Sequence, residues 1–349
     1  MNKEKTSLLK KASSWEYILV LLLIFEIVVF ATKNPKFLMP RVLFGSLNDI
    51  ISICIISLFV TFVMITGGID IQAGALVGLT SIVLGVSWQD YGINIWLAAF
   101  LGIVVSAFCG ALSGFFVAYC NVQPMVVTLG GSFLYSGFAL LVSNVSATES
   151  YKGISGFPES FTQLSKYRLG GILPLQVLIF LVLAIIAFLL LNKTVYGRKI
   201  FLIGVNKNAA EYSGINTKLI TLSTYVLSAI SASIAGIILT SYLGTAKSDI
   251  GATLTLPIIT AVVLGGTLST GGKGSVVGTA LAAIIIGVLK FGLPLSFKVP
   301  QQYLDIPVGA LLLIVVIGRA IISSPAFKKY INKLKMVINH LKNIGSENC

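Results

Sequence analysis

Apolar segments of about the length that crosses a bilayer recur along almost the whole chain. A helix that spans the hydrocarbon core needs about 20 predominantly apolar residues. Ten segments approach that length: 15–32, 47–66, 73–88, 94–118, 126–143, 172–192, 217–242, 254–268, 275–292 and 303–321. Only 11% of the residues are charged, whereas a soluble domain carries about 25%, so the chain has too little charge to coat a globule. The sequence therefore predicts an all-α fold, a polytopic membrane helix bundle with about ten spans, of which the third and eighth are short.

The distribution of basic residues predicts how these spans are oriented. With the N-terminus inside, 16 of the 25 lysines and arginines fall on inner segments and 9 fall on outer segments. Inner loops carry such an excess, so we expect both termini to lie inside. Residues 1–321 are then the transmembrane domain. Residues 322–349 form a basic amphipathic cytoplasmic tail, which either lies on the lipid bilayer or extends into solvent.

Several kinds of chemistry are not expected from this sequence. The net charge of +13 would suit a nucleic-acid binder, but the basic residues lie at the termini and in one internal loop, so no nucleic acid is expected. His340 is the only histidine and the four cysteines form no CxxC pair, so neither a metal site nor a cofactor is predicted. Residues 266–275 resemble a phosphate-binding loop. However, Thr267 stands where its fingerprint requires Gly, and Gly274 stands where it requires Ser or Thr. ATP binding by that route is therefore not expected.

Two glycine pairs interrupt the apolar pattern at corresponding places in the chain. Gly67 and Gly68 close the second span, with Asp70 shortly after them, and Gly265 and Gly266 close the eighth span. In both places a polar break and a Gly-x-x-x-Gly helix follow, which we interpret as a weak internal repeat. Broken helices at matching positions of two halves indicate a transport pathway. The alternative is that the glycines only permit close helix packing.

The internal loop 193–217 contains a short predicted helix. Asn206 is a suitable N-cap, Glu211 falls near the first turn, and Gly214 can end the helix. On the inner face such a helix would either dock another protein or serve only as a connector. The candidate docking residues are Asn206, Ala209, Ala210, Glu211, Ser213 and Gly214.

Polar side chains within the spans are the candidates for a substrate path, because polar groups in lipid are costly. Thr128, Ser132 and Tyr135 lie on one side of span five together with Ser136, and their hydroxyls suit a polyol-like ligand. Asp49 is a further candidate near the outer end of span two, where it would otherwise be solvated. For the hydroxyls the alternative is hydrogen bonding between helices.

Two rival classes of function remain open at this point. A secondary transporter or channel that works alone would require ion-coupling charges deep within the spans, and Glu26 is the only mid-span carboxylate. A purely structural membrane subunit is the other alternative, and the broken, glycine-rich helices argue against it.

Three motifs occur in a fixed order along residues 15–321. Residues 67–71 read Gly-Gly-Ile-Asp-Ile, residues 197–215 read Gly-Arg-x5-Gly-x-Asn-x2-Ala-Ala-x2-Ser-Gly-Ile, and residues 261–279 contain Ala-Val-Val-Leu-Gly-Gly-x7-Gly-Ser-x2-Gly-Thr. Together they resemble the signatures of ABC-importer permeases of the ribose, xylose and galactoside class. One departure follows the first motif, where most of that class has Ser-Val-Gly-Ser and this chain has Gln72-Ala73-Gly74-Ala75.

The resemblance implies a division of labour across a bacterial inner membrane. A periplasmic substrate-binding protein delivers the ligand, two permease subunits form the path, and ATPase subunits drive transport from inside. The loop helix at 206–214 would contact the ATPase subunit, and Asp249 in an outer loop is a candidate contact for the binding protein.

Within that class, residues 156–158, 201–204, 241–251 and 257–266 are most similar to permeases of autoinducer-2 importers. This likeness implies autoinducer-2 as the ligand. It also implies a heterodimer, because those importers combine two different permease chains. Import of ribose or another small sugar is the alternative within the class.

Overall fold

The computed structural model describes residues 14–146, 148, 152–171 and 173–323, and within these residues the chain forms thirteen α-helices. Ten of them coincide with the predicted spans: α1 (Ser14–Lys33), α2 (Pro40–Ile65), α3 (Ala73–Gln89), α4 (Ile95–Ala118), α5 (Pro124–Ser143), α7 (Leu175–Lys193), α10 (Thr217–Leu243), α11 (Thr255–Leu264), α12 (Val276–Phe297) and α13 (Asp305–Ser323). The other three are short: α6 (Glu159–Lys166), α8 (Val195–Val205) and α9 (Lys207–Tyr212). The predicted all-α membrane bundle is therefore confirmed.

The spans differ in length in the way that the sequence indicates. Within the described residues, six helices are long and apolar enough to cross a membrane: α1, α4, α5, α7, α10 and α12. In contrast, α3 has 17 residues and α11 has 10. At 1.5 Å per residue α11 is about 15 Å long, which is half the thickness of a bilayer core.

Within the compact unit that ends at Leu304, helix α10 lies at the centre and packs against α4, α2 and α3. Small residues bring these helices close together, so that a Cβ added at Gly110 would lie 2.5 Å from the Cβ of Ala229. Hydroxyls also join them, since the Thr80 Oγ1 lies 2.7 Å from the Ser106 Oγ and 3.1 Å from the Ser233 Oγ. Small residues and hydroxyl bonds of this kind hold helices together where apolar surface faces lipid.

The polar stretch between α5 and α7 is partly folded against the bundle. Four two-residue strands form two antiparallel pairs: β1 (Ile154–Ser155) with β4 (Thr245–Ala246), and β2 (Arg168–Leu169) with β3 (Leu173–Pro174). Phe157 and Phe161 are buried in the same apolar cluster as residues of α3 and α4, and the Phe157 ring lies 4.9 Å from that of Trp88. These contacts fix the place where the chain leaves α10.

After β4 the chain passes back along α3 as a non-helical segment, residues 247–254, before α11 begins. A Cβ added at Gly78 would overlap the Ser248 carbonyl oxygen, and one at Gly74 would lie 2.5 Å from the Gly251 carbonyl oxygen. The segment therefore runs antiparallel to α3. The close packing that the Gly-x-x-x-Gly pattern of α3 permits is with this segment and, at Gly74, also with Thr255 at the start of α11.

The chain divides into two compact units, of which the first ends at Leu304 and the second begins at Asp305 with α13. The predicted basic tail, 322–349, lies outside the described residues except for its first two positions, which end α13. Its amphipathic character therefore stays a prediction.

Candidate functional site

The first glycine pair breaks the chain between α2 and α3. Gly67 has a φ of +85°, in the left-handed region that favours glycine. Its backbone N–H and that of Gly68 donate to Met64 and Val63 carbonyls, which ends α2. A Cβ added at Gly68 would lie 2.5 Å from the Tyr225 hydroxyl. The pair thus serves both the turn and a close approach to α10.

Asp70 closes this break by joining it to α10. Its side chain is buried, and its Oδ1 accepts a hydrogen bond from the backbone N–H of Gln72 at 3.1 Å. Its Oδ2 accepts from the Ser228 hydroxyl at 2.6 Å. One carboxyl group therefore joins Gln72, the residue before α3, to the central helix. The sequence pattern placed Asp70 in the first break, but it did not identify Ser228 as its partner.

Gln72, at the departure from the resembled signature, begins a second buried network. Its Oε1 accepts from the Ser113 hydroxyl at 2.7 Å, and the Ser113 Oγ lies 2.9 Å from the Tyr135 Oη. The Tyr135 hydroxyl donates in turn to the Cys109 carbonyl at 2.9 Å. The Thr128 hydroxyl donates to the Ile69 carbonyl at 3.0 Å. Tyr135 thus makes the interhelical bond that was the alternative to a substrate path, and Thr128 bonds the break between α2 and α3.

The second glycine pair ends α11 and packs closely on α12. A Cβ added at Gly265 would overlap the backbone of Thr279, and one at Gly278 would overlap the Gly265 carbonyl oxygen. The Thr279 Oγ1 lies 2.9 Å from the Thr61 Oγ1 of α2. Gly266 has a φ of +107°. Both glycine pairs therefore occupy a helix–break–helix unit, as the internal repeat predicts.

The two breaks meet each other and the end of α8 at one place. The Gly272 N–H donates to the Ile65 carbonyl at 2.9 Å, and a Cβ added at Gly271 would lie 2.9 Å from the Gly67 nitrogen. A Cβ added at Gly204 would overlap both the Ile65 carbonyl oxygen and the Gly272 nitrogen. We call these five residues the glycine junction. Sequence patterns did not identify it, because its members are distant along the chain.

The loop helix has the structure that its sequence predicts. Asn206 is the N-cap of α9 and accepts from the Ala209 N–H at 3.0 Å, while the Ser213 hydroxyl donates to the Ala209 carbonyl at 2.8 Å. Gly214 follows with a φ of +78°. Ala210 is buried, whereas the other candidate docking residues, Asn206, Ala209, Glu211, Ser213 and Gly214, are exposed.

Two exposed apolar side chains next to these candidates were not predicted from the sequence. Tyr212 is 94% exposed and Val205 is 73% exposed. They flank Glu211 and Asn206 along the chain, so α9 presents a mixed polar and apolar surface.

Two cavities lie beside these elements. One, of about 240 Å³, borders Gly67, Gly68 and Lys207 near the glycine junction. The other, of about 340 Å³, is lined by residues of α3, α5, segment 247–254 and α11: Gly74, Ala75, Ser132, Phe133, Ser136, Leu140, Ser248, Asp249, Ala252 and Thr255. Of the hydroxyl residues predicted on span five, Ser132 and Ser136 line it, whereas Thr128 and Tyr135 do not. The side chain of Asp49 lies outside the described residues.

The fold and these features together define a class of protein. A bundle of apolar spans with two broken helices in mutual contact, and with a helix exposed between two spans, is the architecture of a membrane transport permease. Residues 42–316 match the family described as "Branched-chain amino acid transport system / permease component". The chain belongs to this permease family of ABC importers, and it is a multi-pass protein of the bacterial inner membrane.

Individual relatives narrow the comparison. The chain is 41% identical, over 88% of its own length and 92% of the relative, to the autoinducer 2 import system permease protein LsrD of Salmonella typhimurium. The proteins of the same name from Escherichia coli and Photorhabdus laumondii are 41% and 43% identical over 88% of this chain, and the matches cover 92% and 91% of them. No solved structure matches the chain.

Proposed function

We propose that this chain is one of two membrane subunits of an ATP-driven, binding-protein-dependent importer of autoinducer 2. The observation that carries the proposal is the identity of 41–43%, over nearly nine-tenths of the chain, to permeases named for autoinducer 2 import. The motifs in the outer loop, the loop helix and the segment after α10 support the same ligand.

In this proposal the chain carries no catalytic step of its own. ATP hydrolysis takes place in a separate ATPase subunit at the inner face. A second, different permease completes the path, and a periplasmic binding protein delivers the ligand. The exposed face of α9 supports docking of the ATPase subunit, because Glu211 makes no side-chain hydrogen bond to any described residue and is free to pair with a partner.

The glycine junction supplies a route from α9 to the bundle interior. Gly204 lies in the last turn of α8, three residues before α9 begins, and packs on Ile65 and Gly272 with no side chain between them. A displacement of α8 by the ATPase subunit would therefore move both breaks at once. Alternating access requires two packings of similar energy that partners can favour in turn. The breaks are the places where α2 and α3, and α11 and α12, can change their mutual angle.

Purification of the tagged chain from its native membrane in mild detergent tests this assignment. We expect an ATPase subunit and a second permease of different sequence to co-purify, and vesicles from the same cells to take up autoinducer 2 in preference to ribose. Recovery of the chain alone, where a control importer stays intact, would instead indicate an autonomous transporter. Preferential uptake of ribose would support the assignment as an importer but would show that autoinducer 2 is not its ligand.

Reversing the charge of Glu211 should uncouple ATP hydrolysis from uptake. The Glu211→Lys side chain would place a cation in the docking surface, and we expect autoinducer 2 uptake to fall at least tenfold, since unfavourable charge contacts at an interface cost several kcal/mol. ATPase activity and uptake, measured together in proteoliposomes, check this.

The amount of chain in the membrane serves as the first control for this substitution, because Glu211 is exposed and its replacement leaves the fold intact. Glu211→Gln is the matched variant, which keeps the shape without the charge and should lose less uptake. Full uptake by Glu211→Lys would exclude α9 from coupling.

A further inference from the structure

The larger cavity lies beside the non-helical segment 247–254, which precedes the eighth span. Segment 247–254 passes along α3 beside Gly78 and Gly74, and it packs against that helix by backbone contact. Non-helical backbone at membrane depth is tolerated only where it is buried in protein or lines a cavity. Here Ser248, Asp249 and Ala252 line the cavity, and Gly251 and Leu254 of the same segment are buried.

The opposite wall is formed by one face of α5. Ser132 and Ser136 are four residues apart and therefore lie one above the other on the helix. Phe133 stands beside them and is 74% exposed. Unlike Thr128 and Tyr135, whose hydroxyls are held by hydrogen bonds within the bundle, these residues border open volume.

The polar side chains of the cavity are available to a ligand. Among the described residues, the side chains of Ser132, Ser136, Ser248 and Asp249 have no hydrogen-bond partner. Three hydroxyls and one carboxylate thus border a volume of about 340 Å³, which lies in the range of small-molecule sites. A few convergent polar groups within an otherwise apolar wall are typical of such sites.

The chemistry of these groups selects among ligands. Serine hydroxyls both donate and accept, and a carboxylate accepts two hydrogen bonds, which matches the hydroxyl pairs of a polyol. A zwitterionic amino acid, in contrast, would bring its own carboxylate beside Asp249, and no described residue that lines the cavity is basic. The family description names branched-chain amino acids, but the cavity lacks the cation that would neutralise an α-carboxylate.

We propose that this cavity is the permease's own ligand site. It binds a small uncharged polyol through Ser132, Ser136 and Ser248, with Asp249 accepting from a pair of adjacent hydroxyls and Phe133 covering the carbon face of the ligand. This proposal rests on the proposed importer function. It assigns the contacts that the ligand makes within the membrane to α5 and the non-helical segment.

Protection of an introduced thiol tests the site directly. The Ser132→Cys variant is assembled with its partners in a Cys349→Ser background and treated with a membrane-permeant thiol reagent, with and without saturating autoinducer 2. Cys54 and Cys109 are buried, whereas Cys120 is exposed at the turn after α4. Cys120 is therefore an internal control that should react equally with and without ligand. We expect the ligand to slow the modification of the thiol introduced at position 132 at least fivefold and to leave that of Cys120 unchanged.

Uptake by conservative variants is a second test of the ligand site. We expect Asp249→Asn to lower autoinducer 2 uptake by about tenfold or more and Ser132→Ala by about threefold, because hydrogen bonds to charged groups are stronger than neutral ones. Ser296→Ala in α12, whose hydroxyl bonds the Phe30 carbonyl, is the matched control and should transport normally. Membrane levels of all three variants should equal that of the parent.

The proposed ligand, autoinducer 2, and the proposed ligand site in the cavity fail in different ways. If the parent importer does not take up autoinducer 2, the proposed ligand is wrong, and protection is then measured with ribose and with leucine. Protection by ribose supports the polyol site, whereas protection by leucine alone overturns it. If the parent transports autoinducer 2 but no ligand protects the introduced thiol and all variants transport normally, the cavity is not the site.

Discussion

The Gly78→Ala variant should lose a large part of its stability although the change adds a single methyl group. The added Cβ would overlap the carbonyl oxygen of Ser248, a backbone atom that cannot rotate away. Forcing extra atoms into a packed interior costs about 1–3 kcal/mol, and we expect the upper part of that range because segment 247–254 must shift as a whole. Thermal unfolding of the detergent-purified chain, followed by size-exclusion chromatography, measures the effect.

The chain offers a matched control for this substitution. Gly130 lies within α5 and is exposed, and a Cβ added there would have no neighbour within 4 Å. Since alanine is the better helix former by about 1 kcal/mol, Gly130→Ala should be neutral or stabilising. Equal stability of the two alanine variants would contradict the close contact between α3 and the non-helical segment.

The contact at Gly78 also shows where sequence patterns stop being informative. The spans could be predicted because a membrane helix must satisfy every backbone group within itself, which leaves a long apolar run in the sequence. Segment 247–254 has no such run, and hydropathy placed it in an outer loop before a span that begins at 254. The glycines of α3 predicted that something packs closely, but their spacing does not specify what.

The candidate functional site could also be predicted only in part. Asn206 was identified as the cap of α9 because capping depends on residues only three positions apart. Gly204, in contrast, packs on Ile65 and Gly272, and neither contact follows from a local pattern. Gln72 was visible only as a departure from a signature, and its bond to Ser113 required the folded chain. Local chemistry was therefore predictable from the sequence, and contacts between distant segments were not.

Replacing Asp70 by alanine should destabilise the first break more than any other single polar change in this region. The substitution removes the acceptor of the Gln72 N–H and leaves the buried Ser228 hydroxyl without its carboxylate partner. A hydrogen bond to a charged group contributes about 1.5–3 kcal/mol, and the longer bond from the Gln72 N–H adds to the one from Ser228. We therefore expect Asp70→Ala to lower the free energy of unfolding by about 2–4 kcal/mol, measured by denaturant titration in detergent.

Two further variants distinguish the Asp70–Ser228 bond from a general effect of burial. In Asp70→Asn the amide oxygen can still accept from the Gln72 N–H, and the amide NH2 can donate to the Ser228 hydroxyl oxygen. The free energy of unfolding should therefore fall by only about 1 kcal/mol, the net contribution of an ordinary hydrogen bond. Ser228→Ala removes the same bond from the α10 side. Because the two residues contact each other at 2.6 Å, the double variant should lose less than the two single losses together. Strict additivity would mean that Asp70 and Ser228 stabilise the break separately, and that the α2–α3 break is not held to α10 by this bond.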